Sequence, residues 1–132
     1  MASLRVLSVF ILALAGHAIL PATAAEQQGM LSSRDISEKI VGQKMDWRSL
    51  EGNLSAFGEI LFQKDGRVEM TTNLPGLPSD IGAWWLDDNQ ICTRWGEARD
   101  GEAKCYRLID QGSGKFLTTG GNLFEIGQDP MV

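Results

Sequence analysis

Histidine is almost absent from this chain. The one imidazole, His17, lies within the first 24 residues, a stretch expected to be removed. The working protein then has no imidazole for a catalytic triad, a metal site or a pH switch near neutrality. Cysteine is scarce as well: Cys92 and Cys105 are the only two. Two thiolates without a histidine do not complete a tetrahedral metal site, and no C-x-x-C is present for redox work. Beyond Leu20 no apolar run approaches the roughly 20 residues of a membrane span. No basic cluster occurs, which argues against nucleic acid as a partner. The chain carries no G-x-S-x-G, no H-E-x-x-H and no phosphate-cradling glycine loop. Asp87 and Asp88 are adjacent, so they diverge and read as turn residues. An enzyme is therefore the last-ranked reading, and no cofactor or metal is implied.

What is present begins with an export signal. Arg5 is a positive n-region, Val6–Leu20 is an apolar run broken only by Ser8, Gly16 and His17, and Ala22-Thr23-Ala24 is an A-x-A cleavage site. Cleavage after Ala24 leaves 108 of the 132 residues, with 11 basic against 17 acidic side chains and a net charge of −6. The expected organisation is a signal peptide over 1–24, a mobile polar leader over 25–31 and a single β-barrel domain over 32–129. The expected location is the bacterial periplasm or the outside of the cell. In such a compartment an even pair of cysteines reads as a disulfide, Cys92–Cys105.

One short helix is predicted after Ser32 or Ser33, with Asp35 in its first turn, an apolar stripe of Ile36, Ile40 and Val41, and Gly42 as its stop. From Lys44 onward short strands alternate with turn residues. Strands are predicted at Lys44–Leu50, Gly58–Gln63, Arg67–Thr72, Ile81–Leu86, Ile91–Trp95, Lys104–Ile109, Lys115–Thr119 and Leu123–Gly127. The fold class is mainly β: a small antiparallel eight-stranded meander or barrel with one short N-terminal helix. Closure would remove the edges of the sheet.

Register is legible in two hairpins. A three-residue loop, Lys64-Asp65-Gly66, sets Phe62 opposite Val68 and Ile60 opposite Met70, and puts Gly66 where a left-handed residue is wanted. A Cys92–Cys105 cross-strand pair leaves a four-residue loop, Glu97–Asp100, and puts Ile91 opposite Tyr106, with Trp95 on the same side. With that aromatic face inward, the disulfide, Arg94 and Arg107 point outward. With the faces reversed, two arginines enter the barrel.

Candidate binding residues follow from these patterns. Trp84 and Trp85 are neighbours in a strand and must face opposite ways. One belongs to the core; the other is either covered by the helix or a loop, or free as a binding anchor. Arg94 and Arg107 either form a cationic patch for an anionic ligand or a solvated face paired with acids such as Glu102. Leu74 and Leu77, in the loop Asn73–Asp80, either lid a barrel mouth or pack across a barrel end.

The succession of a helix ending in Gly42, the Asp65-Gly66 hairpin, G-x-W at Gly82–Trp84, Cys92, Trp95 and Cys105-Tyr106 resembles uncharacterised small secreted lipocalin-like proteins of alphaproteobacteria. The resemblance covers roughly Ile36 to Leu117. It implies a periplasmic β-barrel with one disulfide, and it carries no activity or site. The expected function is a non-catalytic binding module holding a small apolar or amphipathic ligand, or a periplasmic protein, through Trp84 or Trp85, Trp95 and Tyr106. The alternative is a periplasmic inhibitor of a hydrolase of protease or lysozyme type, with the leader before Ser32 as an inserting arm. An interior cavity favours the first, a filled barrel the second.

Overall fold

The computed structural model describes residues 29–52 and 55–127. The expected signal peptide, 1–24, and residues 25–28 of the expected leader lie outside the described residues. The elements are a helix α1 (Ser33–Lys39) and strands β1 (Lys44–Ser49), β2 (Phe57–Phe62), β3 (Arg67–Thr71), β4 (Ser79–Asp87), β5 (Gln90–Trp95), β6 (Lys104–Tyr106), β7 (Leu108–Gly112), β8 (Lys115–Thr118) and β9 (Asn122–Ile126). Ser32 caps α1: its Oγ accepts from Asp35 N at 3.1 Å, and the Asp35 carboxylate accepts from Ser32 N at 3.1 Å. Replacing such a cap costs about 1 kcal/mol. The Ser32 amide first, and then its hydroxyl, hold the Asp35 carboxyl below its ordinary value.

All strands belong to one antiparallel sheet in the order β6-β5-β4-β3-β2-β1-β9-β8-β7. The first and last strands pair, from Met45↔Ile126 to Ser49↔Asn122. The strands at the two ends of that order, β6 and β7, are separated in the chain by Arg107 alone. A single run, Lys104–Gly112, thus pairs with β5 through its first part and with β8 through its second. The eight predicted strands are all present, and the sixth is divided at Arg107 into two, giving nine in a nearly closed barrel.

Where this run leaves β5, the incoming chain takes the vacated edge. Leu31 N donates to Leu108 O at 2.9 Å, Asp110 N donates to Gly29 O at 2.7 Å, and Met30 bridges Ile109. Leu31 is buried at 4% exposure. Gly29–Leu31, expected as the end of a mobile leader, is therefore part of the barrel wall. The physical reason is the open row of backbone groups on β7, which any adjacent extended segment can satisfy.

The first hairpin has the predicted register, Ile60↔Met70 and Phe62↔Val68, with Gly66 at φ +90°. At the G-x-W signature, Gly82 faces Trp95 across the β4–β5 pair. A Cβ there would stand 2.2 Å from Arg94 O, so only glycine admits this approach of the two strands. The second hairpin pairs Cys92 with Cys105 and Ile91 with Tyr106, and the disulfide is formed with Cα atoms 4.0 Å apart. Its face is outward, as Ile91, Trp95 and Tyr106 are buried in the core. The loop is longer than the predicted four residues, because pairing between β5 and β6 stops at Thr93↔Lys104.

Strand direction gives the barrel two different ends. The turns after β2, β4 and β7 lie at the end where α1 sits. Ser33 N donates to Asn89 Oδ1 at 2.9 Å, Gly42 N donates to Phe62 O at 2.8 Å, and Lys39 pairs with Asp110 at 3.3 Å. Ile36 and Ile40 of this cap are fully buried among Phe62, Val68, Ile91 and Leu108. The opposite end is ringed by the loops after β1, β3, β5 and β8.

Two stability outcomes follow. Gly66→Val is expected to cost at least about 1 kcal/mol in a denaturant titration, since a β-branched residue is strained at positive φ. Cys105→Ala opens a crosslink spanning 13 residues and is expected to lower stability by roughly 3 kcal/mol, read as a reduced melting temperature that reducing agent does not lower further.

Candidate functional site

The end of the barrel opposite α1 holds a cavity of about 410 Å³, within the roughly 300–1,000 Å³ range of small-molecule sites. Its inner wall is aromatic and aliphatic: Trp47, Ile60, Met70, Trp95 and Phe124, from five different strands. Two of these are held by specific contacts. Trp47 Nε1 donates to Thr71 O at 2.9 Å. Phe124 makes an edge-on contact with Tyr106, ring centroids 6.4 Å apart. Leu74 and Leu77, both half-buried, line the cavity from the loop after β3.

Five uncharged polar residues, Ser49, Thr72, Thr93, Tyr106 and Asn122, also line the cavity. Thr93, on β5 between Ile91 and Trp95, is 1% exposed, and its Oγ1 makes no well-formed hydrogen bond. Tyr106 lies beside it, also buried. Burial pushes the Tyr106 phenol up to about 12, against the opposing effects of the nearby Thr93 hydroxyl and of the positive charge on Arg99. The phenol therefore stays a neutral hydrogen-bond donor at any physiological pH.

The loop after β5 completes the rim. Asp80, buried on β4, accepts from Glu97 N at 3.0 Å and Ala98 N at 2.8 Å through Oδ2, and from Ile81 N at 2.9 Å through Oδ1. Carboxylate bonds to main-chain amides are among the stronger hydrogen bonds. They draw the loop over β4, and Ala98 and Arg99 then line the cavity. This pull accounts for the early end of β5–β6 pairing.

The predicted site residues separate. Trp95 and Tyr106 line the cavity together. Trp84 also faces inward, but in the capped half of the barrel: its Nε1 donates to Gln63 O at 2.7 Å and its ring meets Phe62 edge-on at 6.0 Å. Trp85 faces outward at 38% exposure, opposite Cys92 in the β4–β5 register. Arg94 and Arg107 are both outside the barrel and are not brought together. Each lies two residues from its half-cystine, in opposite directions along the paired strands, so about 13 Å of strand separates their rows. Neither forms an ion pair among the described residues, with Glu102 or any other acid.

Sequence reasoning missed Trp47, Thr93, Asp80 and Arg99. Thr93 carried a signal, as the polar residue on the inward side of the strand Ile91–Trp95. Asp80 and Arg99 carried none, since both are ordinary loop and strand-end residues until the barrel closes.

A second hollow, about 440 Å³, lies on the outer wall beside Lys44, Glu59, Glu69 and Ile81. Its charges already satisfy one another, Lys44 with Glu59 at 3.1 Å and Glu69 with Arg67 at 2.9 Å. The interior cavity is the better site. Among the described residues no cluster of three acids or cysteines is placed to hold a metal ion, and no helix is long and apolar enough to cross a membrane. No protein-family model matches this chain, and no curated protein or solved structure matches it significantly.

Tyr106 is the only tyrosine, so an absorbance titration of phenolate reports it alone. Ionisation is expected near pH 12 instead of the ordinary 10.0. The folded state holds this proton more tightly than the unfolded chain, so the contribution to stability is full below about pH 10 and is lost as pH rises to about 12. Ionisation of the native protein at the ordinary value would mean that the phenol is not buried.

Proposed function

We propose that this protein is a non-catalytic periplasmic binding module that takes a small apolar or amphipathic ligand into the open half of its barrel. The observation that carries the reading is the cavity itself, lined by aromatic and aliphatic side chains from five strands at the open end of the barrel. The described lining contributes no carboxylate, thiol or imidazole, so it offers no acid–base pair or strong nucleophile for turnover. The formed disulfide, with the export signal expected at 1–24, supports an oxidising compartment. Hydrolase inhibition has no comparable observation behind it, since Gly29–Leu31 is tied along β7.

The reading is tested with a neutral polarity-sensitive dye, N-phenyl-1-naphthylamine. Saturable one-to-one binding with enhanced emission is expected for the wild type. Met70→Trp, which fills the cavity from its wall, is expected to abolish binding while the protein still melts cooperatively. Absence of saturable binding, or binding unaffected by a folded Met70→Trp, would overturn the proposal.

A further inference from the structure

Among the described residues that line the cavity, Arg99 is the only charged one. That is a marked exception in a chain with 17 acidic residues against 12 basic. Glu97, Asp100 and Glu102 surround Arg99 in sequence, yet none of them lines the cavity, and Arg99 forms no ion pair among the described residues. Arg99 also stands in an unusual backbone. It has φ 53° and ψ 32°, and Asp100 after it has φ 53° and ψ 29°. Two successive non-glycine residues in the left-handed region are costly and persist only where the surroundings hold them. Here the surroundings are the Asp80 carboxylate, which fixes the amides of Glu97 and Ala98, and the bond from Glu102 N to Arg99 O at 3.0 Å. The loop is held so that a cation stands at the rim of an apolar cavity. Its field reaches inward as far as the Tyr106 phenol.

We infer that the ligand is an amphipathic carboxylate, its apolar body inside the barrel and its anionic end at Arg99. This deepens the cavity reading and rests on it. The guanidinium fork matches the two oxygens of a carboxylate, and it carries its charge into an apolar setting more readily than an ammonium. The negative charge of the whole chain opposes an anion only weakly at the rim, because exposed charges are screened beyond about 8 Å at physiological salt. The adjacent guanidinium decides the sign. Inside, Trp47, Trp95 and Phe124 line the space for the apolar body, with Tyr106 beside them on the wall.

The test is displacement of N-phenyl-1-naphthylamine from the full mature protein by three amphiphiles of equal chain length, each below its micellar concentration: decanoate, 1-decanol and decyltrimethylammonium. Decanoate is expected to compete at least about tenfold better than decanol, and the cation to compete least. Arg99→Gln is expected to bring the affinity for decanoate down to that for decanol measured on the same variant; Arg99→Lys is expected to retain part of the preference. If the dye binds but decanoate and decanol compete equally, or if Arg99→Gln keeps the preference, the anionic-end assignment is wrong while the cavity reading stands. If the dye itself fails to bind, both fall together.

Discussion

The run Lys104–Gly112 belongs to both ends of one sheet, and the rest of the molecule depends on that. A meander of short strands has two exposed edges, each a row of unsatisfied backbone groups. Here β5 and β8 find partners in the same stretch of chain, on either side of Arg107. Two devices hold the run in place. The Cys92–Cys105 disulfide anchors it to β5 before the bend, and Gly29–Leu31 covers the edge of β7 after it. Barrel closure is therefore a matter of one covalent link and one segment of main-chain bonding, placed where the hydrogen-bond ladder changes partner.

With β6 and β7 counted as the single run they form, the barrel wall has eight staves, and a barrel of eight strands encloses just enough room for side chains or one small ligand. The molecule divides that room. Below, α1 pushes Ile36 and Ile40 into the end of the barrel, and Phe62, Val68, Ile91 and Leu108 fill the space around them. Above, no such plug is present among the described residues, and the large aromatic residues stand around a hollow. The same division separates the tryptophans. Trp84 satisfies its indole N–H on the Gln63 carbonyl deep in the packed half, whereas Trp95 lines the hollow half. Trp85, one residue from Trp84, covers the outer side of the sheet beside the disulfide, where Cys92 has no exposed surface.

Thr93 and Tyr106 lie buried beside one another on the inner wall, while Arg99 stands exposed at the rim. Asp80 matters through position rather than contact with the cavity. Its carboxylate organises the main chain of the loop that presents Arg99, so the chemistry of the rim is set by a residue that never lines it.

Much of this fold was legible in the residues alone, and the reason is local. Alternation of apolar and polar side chains fixes which face of a strand is buried, so the Ile60↔Met70 and Ile91↔Tyr106 registers follow from the sequence with Gly66 and the two cysteines as anchors. Capping of α1 by Ser32 and the opposite facing of Trp84 and Trp85 are equally local consequences. What the chain order does not contain is distance between residues far apart in it. Only the closed structure brings the amides of Glu97 and Ala98 to Asp80, pairs Met30 with Ile109, and sets Arg94 and Arg107 apart on the outer wall. Periodicity dictates inside and outside along each strand; whether the inside is filled or hollow is decided by how far α1 reaches and where Lys104–Gly112 bends, and both are properties of the assembled barrel.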